Sequence, residues 1–219
     1  MDTQDHAATT LDILSDPICP WCYIGKARLD VALAEGGPPL DIQWRAYQLN
    51  PDMPEDGMDR SAYLERKFGG PEGAARVYGQ IESAVREAGL PVDFSRIART
   101  PNTLDAHRLI RWARTTGRQD AVVDALFAAY FVEGVDIGDR DALVAIGAGE
   151  GMEADLLRRL YADDADRALL LNEDALAREM GVTGVPCFVL DERYALVGAQ
   201  ETATWRTVFE RLERGEALG

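Results

Sequence analysis

The sequence predicts an α/β fold in which a β-α-β unit at the start of the chain and a β-hairpin near its end are separated by a long helical segment. A short apolar stretch at residues 11–15 is followed by a helical pattern and then by an alternating strand pattern. Residues 61–164 carry one helical pattern after another. A β-rich run resumes after Gly184, so we predict that the chain returns to its sheet there.

The β-α-β unit is indicated by a helical pattern and an alternating strand pattern, which a turn separates. Apolar residues recur at helical spacing over residues 24–34, until a Gly-Gly-Pro-Pro sequence at residues 36–39 ends the pattern. Lys26 in this helix is expected to be solvated. Residues 40–47 then alternate between apolar and polar types, which predicts a strand that Asn50-Pro51 ends. Two strands joined through a helix in this way are expected to pair in parallel.

The middle of the chain is predicted to be a helical insertion, because glycine and proline breaks divide it into short helical patterns. One helix is predicted to begin with Asn102 as its N-cap. Another starts at Gln119 and ends at about residue 133. Its residues 125–132 are all apolar, so this helix should lie at the buried centre of the insertion.

The end of the chain is predicted to add a hairpin and a helix. A helix at about residues 166–180 leads to the turn around Gly184. Strands at residues 187–190 and 194–197 flank a tight connection, and the last helix covers about residues 202–214.

These elements divide the chain into two predicted domains. Residues 1–60 and 165–219 would form the domain that contains the sheet. Residues 61–164 would form an all-helical domain inserted into it. A length of 219 residues suits one domain with a sizeable insertion.

Composition is typical of a globular chain and argues against two classes of partner. The chain has 38 acidic and 23 basic residues, and its net charge of −15 repels phosphate backbones and anionic lipids. The apolar run at residues 125–132 is too short to span a bilayer. Residues 1–8 lack the basic and apolar stretches of a secretory signal. We therefore expect a cytoplasmic protein with no nucleic-acid and no membrane partner.

The motif that carries the most chemistry is Cys19-Pro20-Trp21-Cys22, directly after the first predicted strand. If Cys19 is the N-cap and Pro20 the first helical residue, the free amides of the first turn point at the Cys19 sulfur and stabilise its thiolate. Cys22 is then close enough to attack a mixed disulfide formed at Cys19. The spacing predicts a nucleophile and its resolving partner.

Two other uses of the cysteine pair are less well supported. A zinc site needs a second close pair of ligands, and Cys187, His6 and His107 are scattered along the chain. A structural disulfide closing so small a loop would constrain the unfolded chain little. We favour the redox interpretation and expect no metal.

The order of elements and four sequence blocks resemble the DsbA family of thioredoxin-like proteins, and within it the FrnE-like branch. The blocks are residues 16–26 (DPICPWCYIGK), 49–54 (LNPDMP), 102–109 (NTLDAHRL) and 184–200, the hairpin. The resemblance implies a thioredoxin-like sheet with an inserted all-helical domain. Some family members carry a second cysteine pair in a C-terminal extension, and no second redox centre is expected here.

The resemblance also implies a cis peptide bond between Val185 and Pro186 that faces the CPWC motif, and X-Pro bonds are the common cis sites. The backbone of Val185 would then offer an edge to an extended substrate segment.

Three further residues are judged by their positions. Trp21 is expected to be exposed and to make apolar contact with a substrate. His107 would line the cleft over Cys19, help to stabilise its thiolate or, as we favour, pack on the helix surface or between domains. Cys187 is expected to be a buried, inert thiol that faces away from the motif.

We predict a thiol–disulfide oxidoreductase in which Cys19 attacks a substrate disulfide and Cys22 resolves the adduct, or the reverse. Its partner would be a disulfide- or thiol-containing protein or small molecule. No cofactor is expected beyond the redox-active cysteine pair, with glutathione as a candidate co-substrate. The direction of exchange and the oligomeric state are left open.

Two rival functions come from other classes. Glutathione-dependent isomerases of the 2-hydroxychromene-2-carboxylate type and kappa-class glutathione transferases resemble this chain in fold, but they place a serine where Cys19 stands. A redox-gated binding protein is the non-enzymatic alternative. Multiple-turnover disulfide exchange separates an enzyme from such a binder.

Overall fold

The computed structural model describes residues 9–218, so the predictions for residues 1–8, His6 included, lie outside it. None of the helices within these residues has the length and apolar character needed to cross a bilayer. The elements in chain order are β1 (Thr9–Ser15), α1 (Pro20–Ala34), β2 (Leu40–Ala46), β3 (Met58–Asp59), α2 (Arg60–Phe68), α3 (Pro71–Glu87), β4 (Arg99–Thr100), α4 (Leu104–Arg114), α5 (Gln119–Ala128), α6 (Arg140–Gly149), α7 (Ala154–Ala162), α8 (Arg167–Glu179), β5 (Cys187–Leu190), β6 (Tyr194–Val197) and α9 (Thr202–Glu213).

Four strands form the main sheet in the order β2-β1-β5-β6. β1 pairs in parallel with β2, as predicted, and antiparallel with β5, while β5 and β6 form the predicted hairpin. This is the predicted thioredoxin-like sheet, with the helices α2–α7 in the predicted insertion and α8 leading back to the sheet. The insertion also contains a two-residue antiparallel ladder between β3 and β4, which the sequence did not indicate.

Alternation along the paired strands β1 and β5 sends neighbouring side chains into different layers. Ile13 and its partner Phe188 belong to the main core, where the Phe188 ring meets Trp205 of α9 edge to face at 4.9 Å between centroids. Leu14 and its partner Cys187 belong to a separate small cluster that includes a residue of α8. The sheet is therefore packed on both faces.

The hydrophobic core continues from the sheet into the inserted helices. One buried cluster contains Ile13 and Trp44 of the sheet together with Leu109 of α4 and Phe127 of α5. The insertion and the sheet thus share one core. The predicted domain boundaries, residues 1–60 and 165–219 against 61–164, stay a prediction.

Two helix ends differ from their predictions. Thr103, not Asn102, is the N-cap of α4, and the Asn102 Oδ1 atom instead accepts the Leu104 N–H at 3.0 Å. The predicted helix from Gln119 ends as an α-helix at Ala128 and continues as a π-helical turn, Ala129–Glu133. A π turn holds one more residue than an α turn, so the hydrophobic period does not indicate it.

Lys26 contradicts its prediction, because it is buried and not solvated. It is 2% exposed, and its Nζ atom lies 2.8, 3.3 and 2.8 Å from carboxylate oxygens of Asp30, Asp120 and Asp124. Burial alone would lower the pKa of Lys26, but the carboxylates outweigh it and hold the pKa above its ordinary value. The ammonium therefore ties α1 to α5, whose two acidic side chains lie far from it in sequence.

Replacing Lys26 with methionine is expected to destabilise the protein, because it keeps much of the side-chain volume but leaves three carboxylates facing one another. We expect the free energy of unfolding to fall by roughly 1–3 kcal/mol, since the carboxylates are about half exposed. Urea unfolding followed by circular dichroism measures this loss. The control is Arg76→Met, which removes an exposed cation of α3 and should stay within about 0.5 kcal/mol of wild type. Equal stability of Lys26→Met and wild type would contradict the role of the ion cluster.

Candidate active site

The CPWC motif lies at the junction of β1 and α1. Pro20 is the first residue of α1 and Cys19 is its N-cap, as predicted. The carbonyl of Cys19 accepts hydrogen bonds from the N–H groups of Cys22 at 3.0 Å and Tyr23 at 3.3 Å. The N–H of Cys19 donates to the carbonyl of Asp16 at 2.9 Å. Backbone hydrogen bonds on both sides thus hold the two cysteines in one helical turn.

The Cys19 sulfur is oriented differently from the prediction. It makes no capping hydrogen bond with the helix amides. Instead the thiol donates to the carbonyl of Val185, with 3.7 Å between Sγ and O, and the Val185–Pro186 peptide bond is cis. A Cβ atom at Gly25 of α1 would lie 3.0 Å from Cγ of Pro186, so glycine lets the helix approach this loop closely.

Both cysteines of the motif are buried thiols in this structure. Cys19 is 3% exposed and Cys22 is 1% exposed. Burial raises the pKa of Cys22 well above its ordinary value, and the adjacent Cys19 raises it further. Hydrogen bonds from the Ser15 side chain and the Asp16 amide act in the opposite direction without cancelling these effects. Cys22 therefore stays protonated at neutral pH and must lose its proton before it can attack.

The third cysteine lies where strand alternation predicts. Cys187 is 2% exposed in the cluster with Leu14 and Tyr47, and burial raises its pKa. Phe188, the next residue of β5, packs against α1 instead. Cys187 therefore points away from the helix that carries the motif.

Trp21 is half-buried, whereas the sequence predicted an exposed side chain. It packs against a cluster that contains Ile24 of α1 and Ile81 and Val85 of α3. The inserted helices cover this side of the motif, so only part of the indole is available to a substrate.

A buried carboxyl and a buried imidazole lie behind the turn. Asp16 is fully buried, and its Oδ2 atom accepts the Leu49 N–H at 2.7 Å. The Nε2 atom of His107 is 3.8 Å from Oδ1 of Asp16 and has no hydrogen-bond partner. His107 is 3% exposed, so it lies behind the motif and does not line its surface.

Burial favours the neutral form of both groups. Burial raises the pKa of Asp16 to about 7, although hydrogen bonds from the Leu49 and Ile18 amides lower it. Burial lowers the pKa of His107 to about 4, although the charge of Asp174 raises it. Sequence reasoning gave Asp16 no role. The sequence feature that could have pointed to Asp16 is its position, a carboxylate at the end of an apolar strand and three residues before Cys19.

Sequence reasoning also missed a cluster from the inserted helices. Arg60 is 9% exposed and donates hydrogen bonds to the hydroxyls of Tyr78 and Tyr130, the latter at 3.2 Å. Within residues 9–218 no carboxylate pairs with its guanidinium. Burial is the main cause of the raised pKa of Tyr63 and of Tyr78, and a negative charge on Cys19 adds to it in both cases.

Residues 10–210 match the family model described as the DSBA-like thioredoxin domain. The chain belongs to this family. The match includes both halves of the main sheet and the helices between them.

Three solved structures are similar to this DSBA-like protein over nearly its whole length. A probable DsbA oxidoreductase from Streptomyces coelicolor is 30% identical with a TM-score of 0.84, and the match covers 96% of this chain and 92% of that one. The cytosolic disulfide reductase DsbM from Pseudomonas aeruginosa, in a structure with GSH, is 23% identical with a TM-score of 0.67, covering 94% and 99%. A 2-hydroxychromene-2-carboxylate isomerase is 18% identical with a TM-score of 0.71, covering 94% and 97%. The last two likenesses show the fold alone, and that fold serves both a reductase and an isomerase.

In the reduced native DSBA-like protein, Cys19 is expected to react with iodoacetamide faster than Cys22 or Cys187. The thiolate is the reactive form of a cysteine, and burial raises the pKa of Cys22 and of Cys187, whereas Cys19 is the N-cap of α1 and its sulfur faces the Val185–Pro186 loop. Brief labelling near neutral pH followed by peptide mass mapping gives the three rates. In urea the three rates should converge. Native rates that are equal, or fastest at Cys187, would contradict this assignment.

The Asp16–His107 pair predicts opposite pH dependences for two variants. Between about pH 4 and pH 7 the folded protein keeps a proton on Asp16 that the unfolded chain loses, so this contribution to stability falls as pH rises. Between about pH 4 and pH 6.5 the unfolded chain binds a proton at His107 that the folded protein does not, so that contribution rises with pH. Relative to wild type, Asp16→Asn should therefore gain stability as pH rises, and His107→Gln should lose it.

Urea unfolding at several pH values across this range measures both slopes. The double variant serves as the control, because it lacks both opposing contributions and should fall between the single variants. Single variants whose slopes change in the same direction would show that the two groups are not held neutral.

Proposed function

We propose that this chain is a thiol–disulfide oxidoreductase that exchanges disulfides through Cys19 and Cys22. The observation that carries the proposal is the CPWC turn at the start of α1, with the Cys19 sulfur 3.7 Å from the Val185 carbonyl. The cysteine at the helix N-terminus is suited to be the nucleophile. Cys22, whose raised pKa keeps it protonated until the mixed disulfide has formed, is suited to be the resolving thiol.

In the reducing direction, the Cys19 thiolate attacks one sulfur of a substrate disulfide. The substrate S–S bond breaks, and one substrate sulfur leaves as a thiolate that takes a proton from solvent. Cys22 then loses its proton and attacks the Cys19 sulfur, which expels the second substrate thiolate. Two electrons have passed to the substrate, and Cys19 and Cys22 are joined by a disulfide. The reverse sequence oxidises a substrate dithiol, and a difference of ~30 mV between the two couples corresponds to ~1.4 kcal/mol.

The substrate would lie along Val185-Pro186 and the open part of Trp21. When Cys19 loses its proton, the Val185 carbonyl loses the thiol as a donor. That carbonyl is then available to accept an N–H from an extended substrate segment. His107 is buried behind the turn, and the proposal gives it no contact with substrate.

The proposed setting is the cytoplasm, where a reducing environment lets a CxxC pair cycle. The similar DsbM is named as a cytosolic disulfide reductase. An isomerase or transferase of the same fold remains the second candidate enzyme class, and the cysteine at position 19 argues against it.

The test is trapping by single variants. Cys22→Ser should accumulate mixed disulfides through Cys19, because nothing resolves them, and Cys19→Ser should accumulate none. Mass spectrometry after incubation with a disulfide measures the adducts. Cys187→Ala is the control and should retain most turnover in a coupled disulfide-reduction assay. Equal trapping by both active-site variants, or at most one equivalent of product from wild type, would contradict the proposal.

A further inference from the structure

The two ends of the β5–β6 hairpin pack against one face of α1. Gly25 lies on that face, and a Cβ atom at its position would be 3.0 Å from Cγ of Pro186 and 3.4 Å from Cα of Ala199. One turn later, Arg28 donates a hydrogen bond to the Ala199 carbonyl at 2.9 Å. The Gly198 N–H donates to the Pro186 carbonyl at 2.8 Å and joins the two ends of the hairpin. The helix that carries the CPWC motif therefore meets the hairpin through a position without a side chain.

A methyl group at position 25 would displace its neighbours. It would also lie 3.2 Å from Cζ of Phe188, and contacts this short require the neighbouring groups to move by a few tenths of an ångström. Phe188 is fully buried, and its ring is held against Trp205. The displacement therefore has little room on the side of the core.

The helix itself is held on its other side. Tyr23 stacks on Phe127 of α5, and the Lys26 ammonium lies between the carboxylates of Asp120 and Asp124 on the same helix. These two contacts come from residues on either side of Gly25 in sequence. A shift of α1 away from the hairpin would break both of them.

The segment before Pro186 is the least constrained of the neighbouring groups. Within residues 9–218, the backbones of Thr183 and Gly184 form no hydrogen bond with another protein group. Val185 has only the contact between its carbonyl and the Cys19 thiol, with 3.7 Å between O and Sγ. A side chain at position 25 is therefore expected to move this segment, and with it the Val185 carbonyl.

We propose that Gly25 is a positioning residue that fixes the Val185 carbonyl beside Cys19 and thereby favours disulfides of extended polypeptides over small disulfides. The inference rests on the proposed function and names its substrate class. An extended polypeptide has to meet two requirements at once. One of its N–H groups must bond to the Val185 carbonyl while its sulfur lies in line with the Cys19 sulfur. A small disulfide has to meet only the second requirement.

The chemical step is the same for both substrate classes. The Cys19 thiolate forms a bond to one substrate sulfur, the substrate S–S bond breaks, and the other sulfur leaves as a thiolate that takes a proton from solvent. Cys22 then loses its proton and displaces the bound sulfur, which leaves the Cys19–Cys22 disulfide. The distance between α1 and the Val185–Pro186 loop changes only how well each substrate is placed for the first attack.

The experiment compares two disulfides that share a leaving group, in single turnover with the reduced protein. One is a short unstructured peptide whose single cysteine is joined to 2-mercaptoethanol, and the other is bis(2-hydroxyethyl) disulfide. Gly25→Ala should react about fivefold more slowly with the peptide, because small displacements from the attacking geometry are costly. It should react less than about twofold more slowly with the small disulfide, which does not pair with Val185. Mass spectrometry after acid quenching measures the oxidised protein.

The control places the same methyl group where there is space for it. A Cβ atom at Gly79 in α3 would meet nothing within 4 Å, so Gly79→Ala should leave both rates within about twofold of wild type. A crystal structure of Gly25→Ala gives a readout that does not depend on activity. The distance from the Val185 carbonyl oxygen to Cys19 Sγ should exceed 3.7 Å while α1 keeps its place.

A second measurement changes the substrate and not the protein. A peptide that is N-methylated at its cysteine and at both neighbouring residues cannot donate these N–H groups to the Val185 carbonyl. Wild type should react with it about fivefold more slowly than with the unmodified peptide, because one hydrogen bond is lost. Gly25→Ala should react with the two peptides at rates within about twofold of each other, because the variant no longer benefits from that bond.

The possible failures can be told apart. If Gly25→Ala slows both disulfides equally or slows neither, or if the Val185–Cys19 distance is unchanged, the positioning role is wrong. Should Gly25→Ala not fold, equal rates of wild type with the N-methylated and unmodified peptides would still overturn the inference. If wild type reacts with neither disulfide, the proposed function fails and the inference fails with it. If wild type reacts with both and the variant keeps their rate ratio, only the inference fails.

Discussion

The packing of α1 against three different parts of the molecule determines where the CPWC motif lies. Gly25 lets the helix approach the Val185–Pro186 loop, and Tyr23 stacks on Phe127 and Phe131 at 5.0 and 5.7 Å between ring centroids. Lys26 joins the same helix to the acidic side chains of α5. These contacts come from the sheet, from the core of the insertion and from a charge cluster. The N-terminal turn of α1 is thus held against the loop that meets the Cys19 sulfur.

Buried polar groups in this protein differ in how fully their hydrogen bonds and charges are matched. Arg108, fully buried in α4, donates to the carbonyls of Leu160 and Ala165 and to the Asp105 carboxylate, so its charge is matched. Arg60 has only neutral hydroxyl partners within residues 9–218, and His107 has an unpaired nitrogen. Unmatched buried polar groups are costly, and proteins tend to keep them where function requires them. Trp205 of α9 also has an unpaired buried Nε1 atom, so unmatched groups occur in the core beneath the sheet as well.

Local patterns predicted much of this molecule, because periodicity and capping depend on neighbours in sequence. The β-α-β unit, the hairpin, Cys19 as N-cap and the burial of Cys187 all follow from such patterns. Lys26 and Trp21 were predicted wrongly for a common reason. The residues that bury them lie on α5 and α3, and no local pattern indicates which distant helix will cover an exposed-looking position. The unpaired nitrogen atoms of Asn50 and His107 could not be predicted either, because a missing hydrogen-bond partner depends on which residues the fold brings together.

The ion cluster at Lys26 restricts which substitutions this sequence can accept. The ammonium meets one carboxylate of its own helix and two of α5, and it is nearly inaccessible to solvent. A mutation that removes the lysine leaves a surplus of negative charge, and one that removes an aspartate weakens the compensation of a buried cation. The four positions are therefore constrained as a set, and relatives that replace Lys26 with an apolar residue should also have lost acidic residues from the facing turn of α5. Covariation at these positions would mark this helix contact even where overall identity is low.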